Sequence, residues 1–247
     1  MTMISRHAGR AVNELRSISI TPGYIEYPEG SVLLELGDTR VLCNVTIENG
    51  VPKWMNAREA QGGWITAEYA MLPRATQQRT AREVGKPRAR SQEIRRLIGR
   101  SLRAGFNLEK FPPITCIVDC DVLQADGGTR TAAVTGGYVA LAIALNSLMI
   151  EGDPVGDIYR SPIAAISVGL LDGTPIVDLD YAEDSAAEAD INIVMNEQGE
   201  LIEIQGTAER KPFTMDTLKQ MLLLANVSIG QLVRVQRQAL EEQGVFL

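Results

Sequence analysis

The chain has 247 residues, 45% of them hydrophobic and 22% charged, with 24 Lys and Arg against 31 Asp and Glu for a net charge of −7. That composition is close to the globular average and buries a core without staples, and nothing in it forces a split, so one domain over 1–247 is expected. The single histidine, His7, stands near the N-terminal end, which excludes a buried His as general base and a set of His ligands on zinc. Catalysis, if present, falls to carboxylates, arginines and backbone amides. Cys43, Cys116 and Cys120 form no even framework. Cys116 and Cys120 share one face of a predicted strand but stand too far apart for an unstrained bridge, so a reducing cytoplasm is expected. The longest apolar stretch, 139–150, is broken by Asn146 and Ser147 and is too short to span a bilayer. No charged-then-apolar leader is present, so neither export nor membrane insertion is expected.

In chain order, residues 17–21, 31–36 and 40–47 are β-branched and apolar runs separated by Pro-Gly, Glu-Gly and Gly-Asp signals, and predict an antiparallel meander. From 74 to 103 the charge reverses. Ten basic residues are opposed only by Glu83 and Glu93, a local excess of +8 that leaves −15 for the rest of the chain. Such asymmetry points to a polyanion site, although a solvated helix face carries the same pattern. Within this stretch Ile94, Leu97, Ile98 and Leu102 follow helical spacing over 92–104, with Arg96, Arg100 and Arg103 on the opposite side. A strand over 114–123 follows. A helix over 131–149, small and apolar on every side, belongs at the centre of the domain. Strands over 164–171 and 175–179 turn at Asp172-Gly173, and a second hairpin joins 191–195 to 201–204 through 196–200. A last helix starts at Thr214 as N-cap, with Asp216 in its first turn, and ends near Leu240. Grouped rather than alternating strands predict an α+β domain with mixed or antiparallel sheets.

Two constellations carry chemistry. Asp126 to Thr131 (DGGTRT) joins a buried strand to the central helix. Two glycines let the backbone turn tightly, the helix N-terminus offers free N–H groups, Thr129 can cap the helix or bind an anion, and Arg130 supplies a fork for phosphate oxygens. No Gly-Lys-Ser/Thr follows, so this is not a Walker loop. Arg90, if the basic helix extends back to it, falls on the apolar side, where an arginine needs an anionic partner. If the helix starts later, Arg90 is free in water. The second constellation is the acidic run Asp178, Asp180, Glu183, Asp184, Glu188 and Asp190. It repels itself unless a cation or arginines sit among it, and hard oxygen donors without His or Cys suit Mg2+ or Mn2+. An ordinary solvated loop remains the alternative. Phosphate pocket, carboxylate-held metal and basic track together are equipment for phosphoryl chemistry on nucleic acid.

The stretches GWITAEY at 63–69, MLPRAT at 71–76, LIGRSLRA at 97–104, DCDVLQADGGTRTA at 119–132, DLDYAEDSAAEAD at 178–190 and QGTAE at 205–209 resemble bacterial ribonuclease PH, in order along nearly the whole chain. The resemblance implies the α+β ribonuclease PH fold, related to domain 2 of ribosomal protein S5. It also implies a phosphate-dependent 3′-to-5′ exoribonuclease that trims tRNA 3′ ends and releases nucleoside diphosphates. By the same resemblance Arg90, Gly128, Thr129 and Arg130 bind inorganic phosphate, the co-substrate. Asp184 and Asp190 serve catalysis and the Mg2+ or Mn2+ ion. Arg74, Arg79 and Arg82 belong to a basic loop for RNA contact and subunit packing. The expected assembly is a homo-hexamer, a trimer of dimers, with RNA such as tRNA precursors as partner and no membrane. Two departures stand out: Arg6-His7-Ala8-Gly9-Arg10 lacks the acid of the family's Arg-x-Asp-Gly-Arg, and Arg210-Lys211 follows Glu209 where small or acidic residues are commoner. Neither is expected to touch the centre. Two rival readings are a catalytically silent RNA-binding ring subunit, which should have lost some of these positions, and a hydrolytic two-metal nuclease, which has no use for the 128–130 pocket.

Overall fold

The computed structural model describes residues 6, 9–56, 61–148 and 158–247. His7, Ala8 and the predicted helix end at Met149 lie outside the described residues. The meander forms as expected: β1 (Ile18–Pro22), β2 (Gly30–Leu36) and β3 (Thr39–Asn49) are antiparallel, and β3 pairs antiparallel with β5 (Ile114–Gln124). A strand absent from the sequence expectations, β4 (Trp64–Met71), completes this sheet by running parallel to β5 at its edge, in the order β1-β2-β3-β5-β4. Between β3 and β4 lies one short turn of helix, α1 (Lys53–Asn56). The three cysteines are buried and unbridged. Cys43 stands opposite Cys120 across β3 and β5, a neighbourhood that spacing along the chain does not reveal.

The second sheet is antiparallel throughout: β6 (Ile163–Leu171), β7 (Thr174–Val177), β8 (Ala189–Asn196) and β9 (Leu201–Ala208), in the order β7-β6-β8-β9. Asp172 and Gly173 turn the first hairpin with φ of 45° and 72°, the left-handed pair that matches strand twist. β7 stops at Val177, not Leu179, because Asp178 takes a φ of 55° and is pulled out of the ladder by ion pairs described below.

Helix α2 (Ala89–Ala104) buries Ile94, Leu97, Ile98 and Leu102 against β4 and the central helix. That central helix, α3 (Thr129–Leu148), begins two residues earlier than expected and is buried around most of its circumference. Its near-uniform apolarity follows from its position, since the first sheet covers one side and β6 the other. Its 20 residues, with a hydropathy of 1.4, are long and apolar enough to cross a bilayer, contrary to the expectation from 139–150 alone; here 78% of that window is buried inside the protein. β6 is buried on both faces because α5 (Met215–Glu241), capped by the Thr214 hydroxyl accepting from Thr217 N at 3.2 Å, covers its other side. The result is an α+β architecture of mixed sheet, central helix, antiparallel sheet and outer helix. The switch from β5 into α3 lies beside the β7–β8 connection, and the candidate site is built there.

Candidate active site

The turn from β5 into α3 needs both glycines. Gly127 and Gly128 have φ of +75° and +67°, and a Cβ on Gly127 would sit 2.5 Å from the Leu179 carbonyl. The turn's carbonyls are held from behind. Thr39 Oγ1 donates to Gly127 O at 2.7 Å and accepts from Asp126 N at 2.9 Å, while Arg16 Nη1 donates to Asp126 O. The first-turn amides of α3 lack intrahelical partners, and Gly127 to Arg130 line the cavity, so an anion there can be bound by them. Thr129 is the first residue of the helix and not its cap. Its hydroxyl shares a 2.8 Å hydrogen bond with Tyr69 OH from β4, and Thr131 donates to Gly128 O at 2.9 Å.

Two arginines border this turn. The basic helix does extend back to Arg90, in its first turn, and Arg90 lines the same cavity as Gly128, Thr129 and Arg130. Arg130, on α3, is held by one nitrogen: Nη1 donates to Glu93 Oε1 at 3.0 Å and to Gln205 Oε1 at 2.9 Å.

The acidic run divides, and this corrects the expectation of one carboxylate cluster gathered by a metal. It is not one loop, because Tyr181–Ala186 form the short helix α4, started by a capping box between Asp180 and Glu183. Asp178, Asp180 and Glu183 are 0%, 2% and 6% exposed and face away from the pocket, into three arginines of the N-terminal segment. Arg16 grips Asp178 with Nε at 3.1 Å and Nη2 at 2.7 Å. Arg6 grips Glu183 with Nε at 2.8 Å and Nη2 at 2.9 Å, and Arg10 lies within ion-pair distance of all three acids. Burial works against the Glu183 carboxylate, yet the hydrogen bonds from Arg6 and from Asp180 N hold its pKa below the usual range. Glu188 accepts from Gly173 N at 3.0 Å in the neighbouring hairpin. Of the run, only Asp184 and Asp190 reach the anion pocket, whose wall also carries Glu209.

They do so in adjoining cavities of 460 and 610 Å3 that share Arg90, Arg130, Asp184, Asp190 and Asn192. Burial, and then the Asp184 charge, push the Asp190 carboxyl up to about 6 from 3.8; burial also raises Asp184, against the pull of Arg90 and Arg130. Asp190 Oδ1 is buried without a hydrogen-bond partner among the described residues. An orphaned carboxylate oxygen beside a second raised carboxyl fits a divalent cation. No group of three or more His, Cys, Asp or Glu suited to a metal occurs among the described residues, so such an ion would rest on two carboxylates, substrate phosphate oxygens and water, as Mg2+ commonly does. The raised value gives a signed expectation. Cation binding needs both carboxylates ionised, so Mn2+ affinity should be nearly constant from pH 7 to 8 and fall about tenfold per unit below about 6. Titrations at pH 5, 6, 7 and 8 check this, and a flat profile down to pH 5 would contradict it.

The other predicted residues lie elsewhere. Arg74, Arg79 and Arg82 are exposed on the loop between β4 and α2 and are not among the residues lining the anion cavity, whereas Thr76, Thr80 and Arg88 of that loop are. On α2, Arg96 and Arg100 are exposed as expected, but Arg103 stacks 4.5 Å over the Trp64 ring and donates to Ile65 O at 3.0 Å. Arg210, expected to stand clear of the centre, lines the cavity that holds Asp184 and Asp190. Sequence reasoning gave no role to Tyr69, Asn192 or Gln205; Tyr69 and Gln205 lie within quoted family stretches, and that was their only signal.

Comparison with known proteins bears on this geometry. Residues 14–145 match domain 1 of the 3′ exoribonuclease family of RNase PH, and residues 161–227 match domain 2. The fold is similar to that of rice (Oryza sativa) Rrp46, at 21% identity and a TM-score of 0.76 over 95% of this chain and 100% of that one. It is similar also to a chain of the Archaeoglobus fulgidus exosome with RNA bound to the active site, at 22% identity and a TM-score of 0.78 over 93% and 92%. A chain of an archaeal exosome core aligns at 19% identity and a TM-score of 0.73 over 94% and 89%. With the glycine turn, both arginines and both pocket aspartates in place, the chain belongs to the RNase PH family of 3′ exoribonucleases.

Proposed function

We propose that the protein removes nucleotides from RNA 3′ ends by phosphorolysis, with tRNA precursors among its substrates. The observation that carries this reading is convergence. Arg90, Gly128 to Arg130, Asp184 and Asp190 come from three distant segments to adjoining cavities, yet neither arginine forms an ion pair with either aspartate. Inorganic phosphate seats on the amides of α3 between the two arginines, which orient one of its oxygens toward the terminal phosphodiester. That oxygen bonds to the terminal phosphorus as the bond to the 3′ oxygen of the preceding nucleotide breaks. The end nucleotide leaves as a nucleoside diphosphate, and the 3′ oxygen takes up a proton. A Mg2+ or Mn2+ ion held by Asp184 and Asp190 would offset charge on the transferring phosphate. On this reading Arg74, Arg79 and Arg82 contact RNA or a neighbouring subunit of a homo-hexameric ring, which their charge and exposure support. The unbridged buried cysteines fit a cytoplasmic setting.

A second reading, an RNA-binding ring subunit without activity, is fitted as well by the likeness to rice Rrp46 and an archaeal exosome core. Running the reaction backwards separates the two. A phosphoanhydride conserves much of the bond energy, so excess nucleoside diphosphates with an RNA primer should give 3′ extension and release inorganic phosphate. RNA binding without extension in either direction supports the silent subunit.

A further inference from the structure

The pocket contains an unresolved conflict of charge. Arg130 acts electrostatically on both Asp184 and Asp190, and a long guanidinium beside two carboxylates in a half-buried cavity should fold onto them. It does not, and its only ion pair among the described residues is with Glu93. Glu93 lies on α2, one turn after Arg90, and Gln205 on β9. The three side chains close a triangle: Arg130 Nη1 donates to Glu93 Oε1 at 3.0 Å and to Gln205 Oε1 at 2.9 Å, and Gln205 Nε2 donates to Glu93 Oε1 at 2.8 Å. The triangle also fixes the amide, since a flipped Gln205 would put its NH2 against the guanidinium. Both of its acceptors fall on one nitrogen, so Nε and Nη2, the other edge of the fork, carry no hydrogen bond among the described residues. That edge has the geometry for two oxygens of one phosphate.

We propose that Glu93 and Gln205 are positioning residues that brace Arg130 away from Asp184 and Asp190, keeping one edge of its guanidinium open for inorganic phosphate and the two carboxylates open for a cation. The proposal rests on the phosphorolytic reading of the pocket and adds to it how opposite charges coexist there before substrates arrive. A plainer role, a staple between α2 and β9, has its own representative: Arg100 and Glu203 join the same two elements at 3.4 Å without touching Arg130.

The test is equilibrium dialysis of the full chain against radiolabelled inorganic phosphate without RNA, alongside steady-state rates at varied phosphate. Glu93→Ala and Gln205→Ala should each weaken phosphate binding and raise the half-saturating concentration about tenfold or more, the scale of lost outer-shell partners. Rates at saturating phosphate should stay within about twofold of the parent. Glu93→Gln, whose amide oxygen still accepts from Nη1, should recover most of the loss, and Glu203→Ala should leave phosphate affinity unchanged. Parental affinity in both alanine variants, or an equal loss in Glu203→Ala, would overturn the brace. If the parent binds phosphate but releases no nucleoside diphosphate, the phosphorolytic reading fails while dialysis still judges the brace; a parent that binds no phosphate removes both.

Discussion

Asp184→Asn or Asp190→Asn is expected to leave melting temperature and RNA binding close to the parent's while lowering turnover at least ~100-fold. The two aspartates are the only members of the acidic run that face the cavity, and their carboxyls are raised by burial in a site where no donor among the described residues satisfies Asp190 Oδ1. An amide keeps the shape and removes the charge, so what is lost is cation binding or proton transfer and not packing. The melting curve should not suffer, because a raised carboxyl pKa makes the ionised form costly to the fold at neutral pH; its removal is neutral or stabilising there. Near-parental turnover in both variants would remove these residues from the chemistry.

Arg16→Met is expected to produce the largest loss of stability, about 3 to 5 kcal/mol, because it leaves Asp178 buried without its bidentate partner. Asp178 is fully buried and in a left-handed backbone conformation, with Arg16 supplying three hydrogen bonds, from its backbone N at 2.7 Å, Nε at 3.1 Å and Nη2 at 2.7 Å. The same guanidinium holds the Asp126 carbonyl behind the glycine turn, so phosphate binding should weaken along with stability. Urea unfolding measures the first effect. A loss below about 1 kcal/mol would mean that Arg10 and water replace the pair, and that the N-terminal segment does not set the shape of the site.

Elements governed by local rules were legible in the sequence. The meander announced itself by β-branched and apolar runs and turn dipeptides, α2 by its apolar spacing, and α5 by the Thr214 cap, since each signal acts within a few residues. β4 was missed although Ile65, Ala67 and Tyr69 alternate inward, because one of its three inward positions is only Ala. α4 escaped because six residues give no periodicity and its capping box was hidden inside an acidic run. The larger misreading concerned what neutralises that run. Arg6 and Glu183 are 177 positions apart, and Glu93 and Gln205 are 112 apart, so only the fold could show that arginines balance three of the acids and that two others remain for the pocket. The extension of α2 back to Arg90 was legible because the spacing of Ile94, Leu97 and Ile98 reaches it, but the side chain is exposed at the cavity and does not pack on the apolar side.

The central claim is that nucleotides leave by attack of phosphate, and one measurement tests it most directly: the identity of the nucleotide released from a 3′-labelled RNA by the purified protein with and without inorganic phosphate, in Mg2+. Phosphorolysis predicts nucleoside diphosphates, formed only when phosphate is present and at a rate that saturates with its concentration. Nucleoside monophosphates released at an unchanged rate in phosphate-free buffer would contradict the account, and so would RNA that is bound but never shortened.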